Sequence, residues 1–362
     1  METSVFPSNV FRTAARRMLL DRPLDGLVRR ASRTWSATEV LAEVVAIREE
    51  GPRAKTLVLA PNARWAGFRA GQYVPVTFEV NGVRTTRCYS LSSAPQEGMR
   101  LELTVARHPQ GKVSGFVHDR LAVGAVVTLG EAAGDLTLPE RPGPVILLAG
   151  GSGITPLRSH VRALAARGAL TEAVLVHDVR EEGALIFADE FRALCNEHPG
   201  FRYVPRTTNG DDPNARLTAA RLAEIVPDFA ARTALACGPG GFTSAVERIF
   251  AEAGASARLT TESFTPPAAA PATLEGSAGA KVTLARSGKR FASDGRRNLL
   301  VQAEEAGAHP KSGCRMGICH TCTCTKKRGA VVNLLTGKVS TEPNEAIQLC
   351  VSAALSEVEL DV

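Results

Sequence analysis

The chain reads as three units in series: an antiparallel β-barrel, an α/β unit on a parallel sheet, and a small mixed sheet gripping one helix, the β-grasp shape. Three observations predict this. Between residues 39 and 139, short runs alternate apolar and polar residues and are broken by Gly and Pro, the pattern of an antiparallel all-β unit. Between 140 and 265, continuous apolar runs alternate with helical patterns, which implies parallel strands covered on both faces. Between 279 and 362, strand-like runs surround one helix candidate and a cysteine-rich loop.

The first unit is expected to hold strands at 42–47, 55–59, 73–80, 82–89, 100–107 and 125–129, with a helix at 113–121 before the last strand. In the second, the apolar run 144–149 ends in Gly150-Gly151-Ser152-Gly153-Ile154-Thr155-Pro156 and leads into a helix at 157–167. The alternation continues with strand 173–178, helix 188–196, strand 201–205, helix 218–225, strand 233–237, helix 241–253 and a last strand over 257–264. In the third, 281–285 and 289–292 flank Arg286-Ser287-Gly288, a hairpin signal. A helix at 298–306 and short strands near 331–333 and 358–360 follow.

Two segments fall outside these units. Residues 266–278 are rich in Pro, Ala, Gly and Ser and read as a semi-extended linker. Residues 1–38 form a basic extension in which Arg12, Arg16, Arg17, Arg22, Arg29, Arg30 and Arg33 interleave with Phe and Leu. It reads either as a helix lying on a membrane or a partner, or as short helices packed on the chain's own body with a solvated charged side. Pro23 argues against one continuous helix.

Composition sets wide bounds. With 362 residues, 44% hydrophobic and 22% charged, the chain has the make-up of an ordinary multidomain globular protein. No apolar run approaches the roughly 20 residues of a membrane-spanning helix, and no signal-peptide pattern opens the chain. The net charge of +6 permits an acidic partner or surface and demands neither; no nucleic-acid partner is expected. Of eight cysteines, Cys88, Cys195, Cys237 and Cys324 are scattered, which fits a reducing, cytoplasmic setting better than a disulfide framework. Peripheral contact with the inner face of the membrane is expected if the basic extension is the membrane-facing one.

The other four cysteines carry the strongest chemical signal. Cys314, Cys319 and Cys322 follow C-x4-C-x2-C spacing, and Cys350 comes after 27 intervening residues. This is the plant-type pattern of four thiolates holding a [2Fe–2S] cluster. A tight loop supplies three ligands and a separate segment the fourth. Gly313 and Gly317 suit the sharp bends and close approach of such a loop. Structural zinc usually shows paired C-x2-C knuckles, and only one such pair is present. Cys324 reads as a packed thiol rather than another ligand. His320 reads as outlying or solvent-exposed, because a Rieske centre would need two histidines in place of two cysteines.

Weaker signals lie upstream. Arg87-Cys88-Tyr89-Ser90 ends a barrel strand. Tyr offers a flat face for an isoalloxazine ring, Ser a hydrogen bond near its reactive nitrogen, and Arg a charge for a flavin phosphate; alone, the motif is equally a strand with a buried Tyr. Gly111-Lys112-Val113-Ser114 opens the helix candidate, where backbone N–H groups attract phosphate or Ser114 merely caps the helix. Gly150-Gly151-Ser152-Gly153 is not the G-x-G-x-x-G fingerprint. Even so, glycines ending the first parallel strand let a pyrophosphate approach the helix that follows. Cys237-Gly238-Pro239-Gly240-Gly241 offers a second loop on the same sheet edge.

On these motifs and their order, the chain resembles the ferredoxin–NADP reductase superfamily, in the branch fused to a C-terminal plant-type ferredoxin domain. The matches are Arg87-x-Tyr89-Ser90, Gly150 to Pro156, Cys237-Gly238-Pro239 and the four cysteines, and the likeness covers residues 39–362. It implies a flavin-binding barrel, an NAD(P)-binding α/β domain and a β-grasp ferredoxin domain. Arg87, Tyr89 and Ser90 would hold FAD, with Lys112, Val113 and Ser114 at its phosphates; this helix opening resembles the FAD-using branch rather than the FMN-using one. Gly150, Gly151, Gly153, Thr155, Gly238 and Pro239 would receive the nicotinamide nucleotide. Cys237 matches the family's cysteine beside the nicotinamide, and Glu262 a carboxylate near the isoalloxazine. Their bland alternatives are a small buried hydrophobe and a solvated strand-end carboxylate. Arg180 and Arg206 are candidates for a 2′-phosphate, hence NADPH over NADH; Arg180 could instead pair with Glu181 or Glu182.

Within that branch, Gly317 to Cys322, Asn333 to Gly337 and Ile347 to Ser352 resemble reductases that feed membrane fatty-acyl desaturases and related hydroxylases. The implied activity is an NAD(P)H:acceptor oxidoreductase: hydride reaches the flavin, and single electrons leave through the cluster. Ser90, Cys237 and Glu262 would shape the hydride-transfer pocket. Two alternatives stand beside it. One is a reductase for a soluble oxygenase, such as a ring-hydroxylating or CoA-thioester system. The other is a redox-sensing adaptor, against which the intact nucleotide loops argue.

Overall fold

The computed structural model describes residues 33–208, 215–264, 278–313, 315, 317 and 320–362. The basic extension up to residue 32 and nearly all of the linker lie outside these residues, as do Cys314 and Cys319.

The first unit is a six-stranded antiparallel sheet of β1 (Val40–Glu49), β2 (Ala54–Pro61), β3 (Tyr73–Val80), β4 (Val83–Ser90), β5 (Leu101–Ala106) and β6 (Val126–Leu129). Their spatial order is β4-β3-β6-β1-β2-β5. Alternation turns one face inward: Val74, Val76 and Phe78 of β3 meet Leu57 and Leu59 of β2 and Leu103 and Val105 of β5. The edge strands curl together where Leu91 bridges Leu103 and Ser92 N–H donates to Glu102 O at 2.8 Å. Helix α1 (Lys112–Asp119) plugs this core with Val113 and Val117.

The second unit is a five-stranded parallel sheet of β7 (Val145–Gly150), β8 (Ala173–Val179), β9 (Phe201–Thr207), β10 (Thr233–Gly238) and β11 (Leu259–Ser263), in the order β11-β10-β7-β8-β9. Every residue of β7 is buried, as an inner strand of a doubly covered sheet requires. Helices α2 (Ile154–Ala166) and α3 (Ala188–Glu197) cover one face through Ile154, Leu157, Val161 and Phe191. Helices α4 (Ala219–Ile225) and α5 (Gly240–Glu252) cover the other through Leu222, Val246, Ile249 and Phe250. The chain leaves β7 toward β8 and β9 on one side, and returns to β10 and β11 on the other. The carboxyl end of β7 is therefore the switch point at which open α/β sheets bind ligands.

The third unit contains β12 (Lys281–Leu284), β13 (Arg290–Ala292), α6 (Leu299–Glu305), β14 (Thr323–Arg328), β15 (Val331–Asn333), β16 (Val339–Ser340), β17 (Glu345–Gln348), β18 (Ser352–Ala354) and β19 (Val358–Leu360). The main sheet runs β13-β12-β19-β14-β17, and β15 lies between β16 and β18 in a smaller one. The expected hairpin is present as antiparallel β12 and β13. Helix α6 packs Leu299, Leu300 and Ala303 into the core, and the Asn298 side chain caps it by accepting from Val301 N–H at 3.0 Å. Strands β14, β16, β17 and β18 go beyond the sequence expectation. Among all described residues, no helix is long and apolar enough to cross a membrane.

Candidate functional site

The barrel contributes the C-terminal end of β4. Ser90 there sits opposite Tyr73 at the start of β3. Among the described residues, Ser90 Oγ is the one buried side-chain polar atom with no hydrogen-bond partner. Tyr89 lays its ring edge-on to Phe78, with centroids 6.2 Å apart, and burial pushes its phenol well above the usual value. Arg87 donates to Thr86 O at 2.7 Å and to Gly313 O, on the third unit, at 3.4 Å. At the opening of α1, Ser114 Oγ accepts from His108 N–H at 3.1 Å and donates to Gly111 O at 3.3 Å. The Val113 side chain is in the core, so at this helix end it is backbone N–H groups and Lys112 that can face a phosphate.

Across from β4, the sheet edge of the second unit brings two candidates together. Cys237 of β10 is in register with Glu262 of β11. Cys237 is fully buried, and burial, reinforced by the Glu262 charge, pushes its thiol well up. Burial and then the charge of Asp135 push Glu262 up to about 7. The neighbouring Gly134 has φ +111°, and a Cβ there would meet the Tyr73 ring at 2.9 Å and the Glu262 carboxylate at 3.7 Å. Tyr73, Asp135, Glu262 and Cys237 thus converge where barrel and parallel sheet meet.

The nucleotide loop turns out of β7 through Gly150, Gly151 (φ +53°) and Gly153. A Cβ on Gly153 would lie 2.0 Å from the Cys237 carbonyl oxygen, and one on Gly150 would lie 2.8 Å from the Phe242 ring. Glycine is therefore a packing requirement at both positions. Thr155 Oγ1 donates to Ser152 O at 3.0 Å and holds the turn. A cavity of about 860 Å³ opens beside the loop, walled by Gly150, Gly151, Asp178, Arg180, Arg216, Pro239, Phe242 and Arg248 among others. Arg180 is on this wall, whereas Arg206 reaches back to both Asp178 carboxylate oxygens at 3.0 Å and to Ala215 O at 3.0 Å. Gly238 closes against Gly150 with a would-be Cβ contact of 3.0 Å.

The sequence reasoning did not find His177. It is fully buried in β8, with Nε2 3.0 Å from Gly151 O and Nδ1 3.2 Å from Tyr203 Oη. Burial pushes it down to about 4, so the ring is neutral near neutral pH. A carbonyl only accepts, so Nε2–H donates to Gly151 and Tyr203 O–H donates to Nδ1. A histidine inside an otherwise apolar strand was the available signal.

In the third unit Cys322 and Cys350 are both buried in one core cluster. Gly317 N–H points at Cys350 Sγ at 3.2 Å, and Gln348 Nε2 holds Gly317 O at 2.7 Å. Gly317 has φ +77°, and a Cβ there would strike Val351 at 2.8 Å and Leu335 at 2.9 Å. Arg315 forks onto Glu304 of α6 at 2.7 and 2.8 Å, anchoring the loop. His320 is exposed. Cys324 lies in β14 and packs against the same core, and burial pushes its thiol up to about 12.

These residues fit the implied cofactors. A buried hydroxyl with no protein partner is what a flavin heteroatom would satisfy. The glycine loop at the switch point accepts a close pyrophosphate. An N–H aimed at a buried cysteine sulfur is the chemistry of an iron–sulfur ligand.

Comparison with known proteins agrees with this geometry. Residues 47–137 match the oxidoreductase FAD-binding domain family, 147–248 the oxidoreductase NAD-binding domain family, and 282–355 the 2Fe-2S iron-sulfur cluster binding domain family. An NADPH oxidoreductase of Mycobacterium tuberculosis is 35% identical over 343 residues, 93% of this chain and 88% of that one. A glycine betaine monooxygenase reductase subunit of Chromohalobacter salexigens is 29% identical, over 81% of this chain and 87% of that one. The solved phthalate dioxygenase reductase is similar across 90% of this chain and 98% of its own, with TM-score 0.63 and 26% identity. With its FAD-binding barrel, its NAD-binding sheet and its C-terminal [2Fe–2S] unit in this order, the chain is an oxidoreductase that belongs to the ferredoxin–NADP reductase superfamily.

Proposed function

We propose that this protein oxidises NADPH and passes the electrons, one at a time, to a membrane fatty-acyl desaturase or related hydroxylase. FAD held at Arg87, Tyr89 and Ser90 would supply hydride acceptance and single-electron release, and a [2Fe–2S] cluster held by Cys314, Cys319, Cys322 and Cys350 would supply one-electron carriage. The chain's own residues bind and orient. Ser90 offers its unpartnered hydroxyl, Glu262 can hold a proton near neutral pH, and Cys237 presents a neutral thiol. The observation that carries the coenzyme choice is the Asp178–Arg206 pair. A carboxylate ending the second strand is the usual partner of a ribose 2′-hydroxyl, and here Arg206 binds it on both oxygens. Arg180, Arg216 and Arg248 on the cavity wall supply the positive charge a 2′-phosphate needs. The relative named an NADPH oxidoreductase supports the same choice.

The desaturase reading rests on the segments around Cys319, Asn333 and Cys350. A soluble oxygenase is the second reading, favoured by the relatives named for glycine betaine monooxygenase and phthalate dioxygenase. Two measurements test the proposal. The kcat/KM for ferricyanide reduction is expected to be at least about tenfold higher with NADPH than with NADH, about 1.4 kcal/mol of discrimination. Purified protein with NADPH is expected to restore desaturation in membranes that hold a desaturase and lack their reductase. Equal use of both coenzymes would sink the first part. Failure with membranes alongside turnover of a soluble oxygenase would move the acceptor to the second reading.

A further inference from the structure

The seam between the barrel and the nucleotide domain is polar and directional. Arg158 lies on α2, five residues beyond Gly153, and only 2% of it is exposed. Its Nη1 donates to Glu102 Oε2 of β5 at 2.6 Å and to Ser92 O at 3.2 Å. Its Nε and Nη2 donate to Glu190 Oε2 of α3 at 2.9 and 2.6 Å. The adjacent Ser159 donates to Ser93 O at 2.6 Å, and His160 Nε2 to Leu136 O at 2.8 Å. Arg48 holds the other Glu102 oxygen at 2.6 Å. The guanidinium also lies over the Phe187 ring, 4.1 Å from its centroid, and Phe187 holds a left-handed φ of 62°.

We propose that Arg158, with Ser159 beside it, is a positioning residue for hydride transfer, one that sets the spacing between the nucleotide loop and the flavin strand. The levers on both sides are short. Ser92 and Ser93 follow Ser90 by two and three residues, and Arg158 and Ser159 stand on the helix that the glycine loop opens. A helix is a stiff rod of about 1.5 Å per residue, so a shift at the seam reaches the loop undamped. Apolar contact is non-directional and would let the two domains slide. A guanidinium forked between two carboxylates from different domains has one geometry. Replacing a buried ion pair by packed apolar groups is often neutral or stabilising, so net stability alone does not account for Arg158, and register is the role its geometry suits. The reaction aligned is the transfer of one hydride, an electron pair with its proton, from the reduced nicotinamide carbon to the flavin nitrogen; the nicotinamide is oxidised and the flavin reduced.

This inference rests on the hydride-transfer reading, and one experiment separates the two. Anaerobic stopped-flow with the full-length holoprotein follows flavin bleaching by the nucleotide the wild type prefers. If the wild-type flavin does not bleach, the reductase reading fails. If it does, Arg158→Lys and Arg158→Met are expected to lower the limiting rate at saturating nucleotide by about 10- to 100-fold, since misplacement by about 1 Å costs that much. The nucleotide Kd and the FAD content should stay within about twofold, and the long-wavelength charge-transfer absorbance should weaken. A limiting rate within about twofold of wild type in an FAD-replete Arg158 variant would overturn the proposal. So would a parallel loss of rate, affinity and FAD in Arg158→Lys, which keeps the charge; such a loss marks a merely structural role. Should Arg158→Met not retain FAD, Ser159→Ala decides beside Arg158→Lys: unchanged limiting rates in both would overturn it.

Discussion

Cys237 and Glu262 stand at matched positions on neighbouring parallel strands, so a thiol and a carboxyl share one rim of the site. The carboxylate discourages the thiol from ionising. The Glu262 charge adds to burial in holding the Cys237 thiol protonated, and Asp135 adds to burial in lifting Glu262 to about 7.

That lift has a sign in stability. The folded state holds the Glu262 proton more tightly than the unfolded chain, whose value is near 4.5. The contribution is complete below about 4.5 and is lost as pH rises through about 7. Glu262→Gln is expected to remove this loss. It should match wild type near pH 4.5 and exceed it by of order 2 kcal/mol near pH 8, after allowing for partial exposure. Unfolding curves of both proteins across that range check it; equal slopes against pH would refute it.

Ser90 makes an opposite kind of forecast. Its hydroxyl is buried without a partner, so Ser90→Ala removes an unmet polar group. In FAD-stripped protein the variant should be as stable as wild type or better by about 1 kcal/mol. In the holoprotein the limiting rate of flavin bleaching should fall by about tenfold or more, the worth of one hydrogen bond. Melting temperatures of the stripped protein and stopped-flow of the loaded one read the two halves separately.

The cysteines near the cluster divide cleanly. Cys350 receives the Gly317 N–H, whereas Cys324 packs in the core with a thiol held up near 12. Cys350→Ser should lose cluster absorbance and most of the iron, and Cys324→Ser should keep both. Gly317→Ala should behave like Cys350→Ser, because its Cβ would enter Val351 and Leu335 from a left-handed backbone. Iron and sulfide analysis per chain distinguishes these outcomes.

Arg206→Met would strand a charge. Asp178 already titrates up at about 6 because burial outweighs Arg206, and without that partner the carboxylate stays buried alone. The expected cost near neutral pH is about 3–5 kcal/mol. The double variant Arg206→Met with Asp178→Asn should recover much of it. Thermal unfolding of the three proteins measures this.

Strands with clear alternation or unbroken apolar runs, such as β3 and β7, were legible because burial writes itself into residue type. Strand β14 was not, because Thr-Cys-Thr-Lys-Lys-Arg has no apolar face. Its Lys326 is fully buried, with Nζ bonded to the carbonyls of Gly329 and Glu342 at 2.9 and 2.5 Å. Gly329 is three residues on, but Glu342 is 16 away, and backbone carbonyls carry no residue-type signal that would mark Lys326 as buried. The same holds for the seam. Arg158 reads as one more helix arginine until Glu102, 56 positions earlier, is brought to it. The glycine loop and the spacing of Cys314, Cys319 and Cys322 stand out for the opposite reason: their residues lie close together in the chain. Arg206 was visible as a charge, but its partner Asp178, 28 positions away, was not.

The hydrogen bond from Arg87 to the Gly313 carbonyl bears on how such proteins can be rebuilt. The tail unit meets the barrel at the residue just ahead of Cys314, where Gly313 adds no side chain. A substitute module borrowed from another chain would keep the bond by presenting a backbone carbonyl there with no side chain in the way. One that offered a bulky group there would ride higher on the barrel, however soundly it folded by itself.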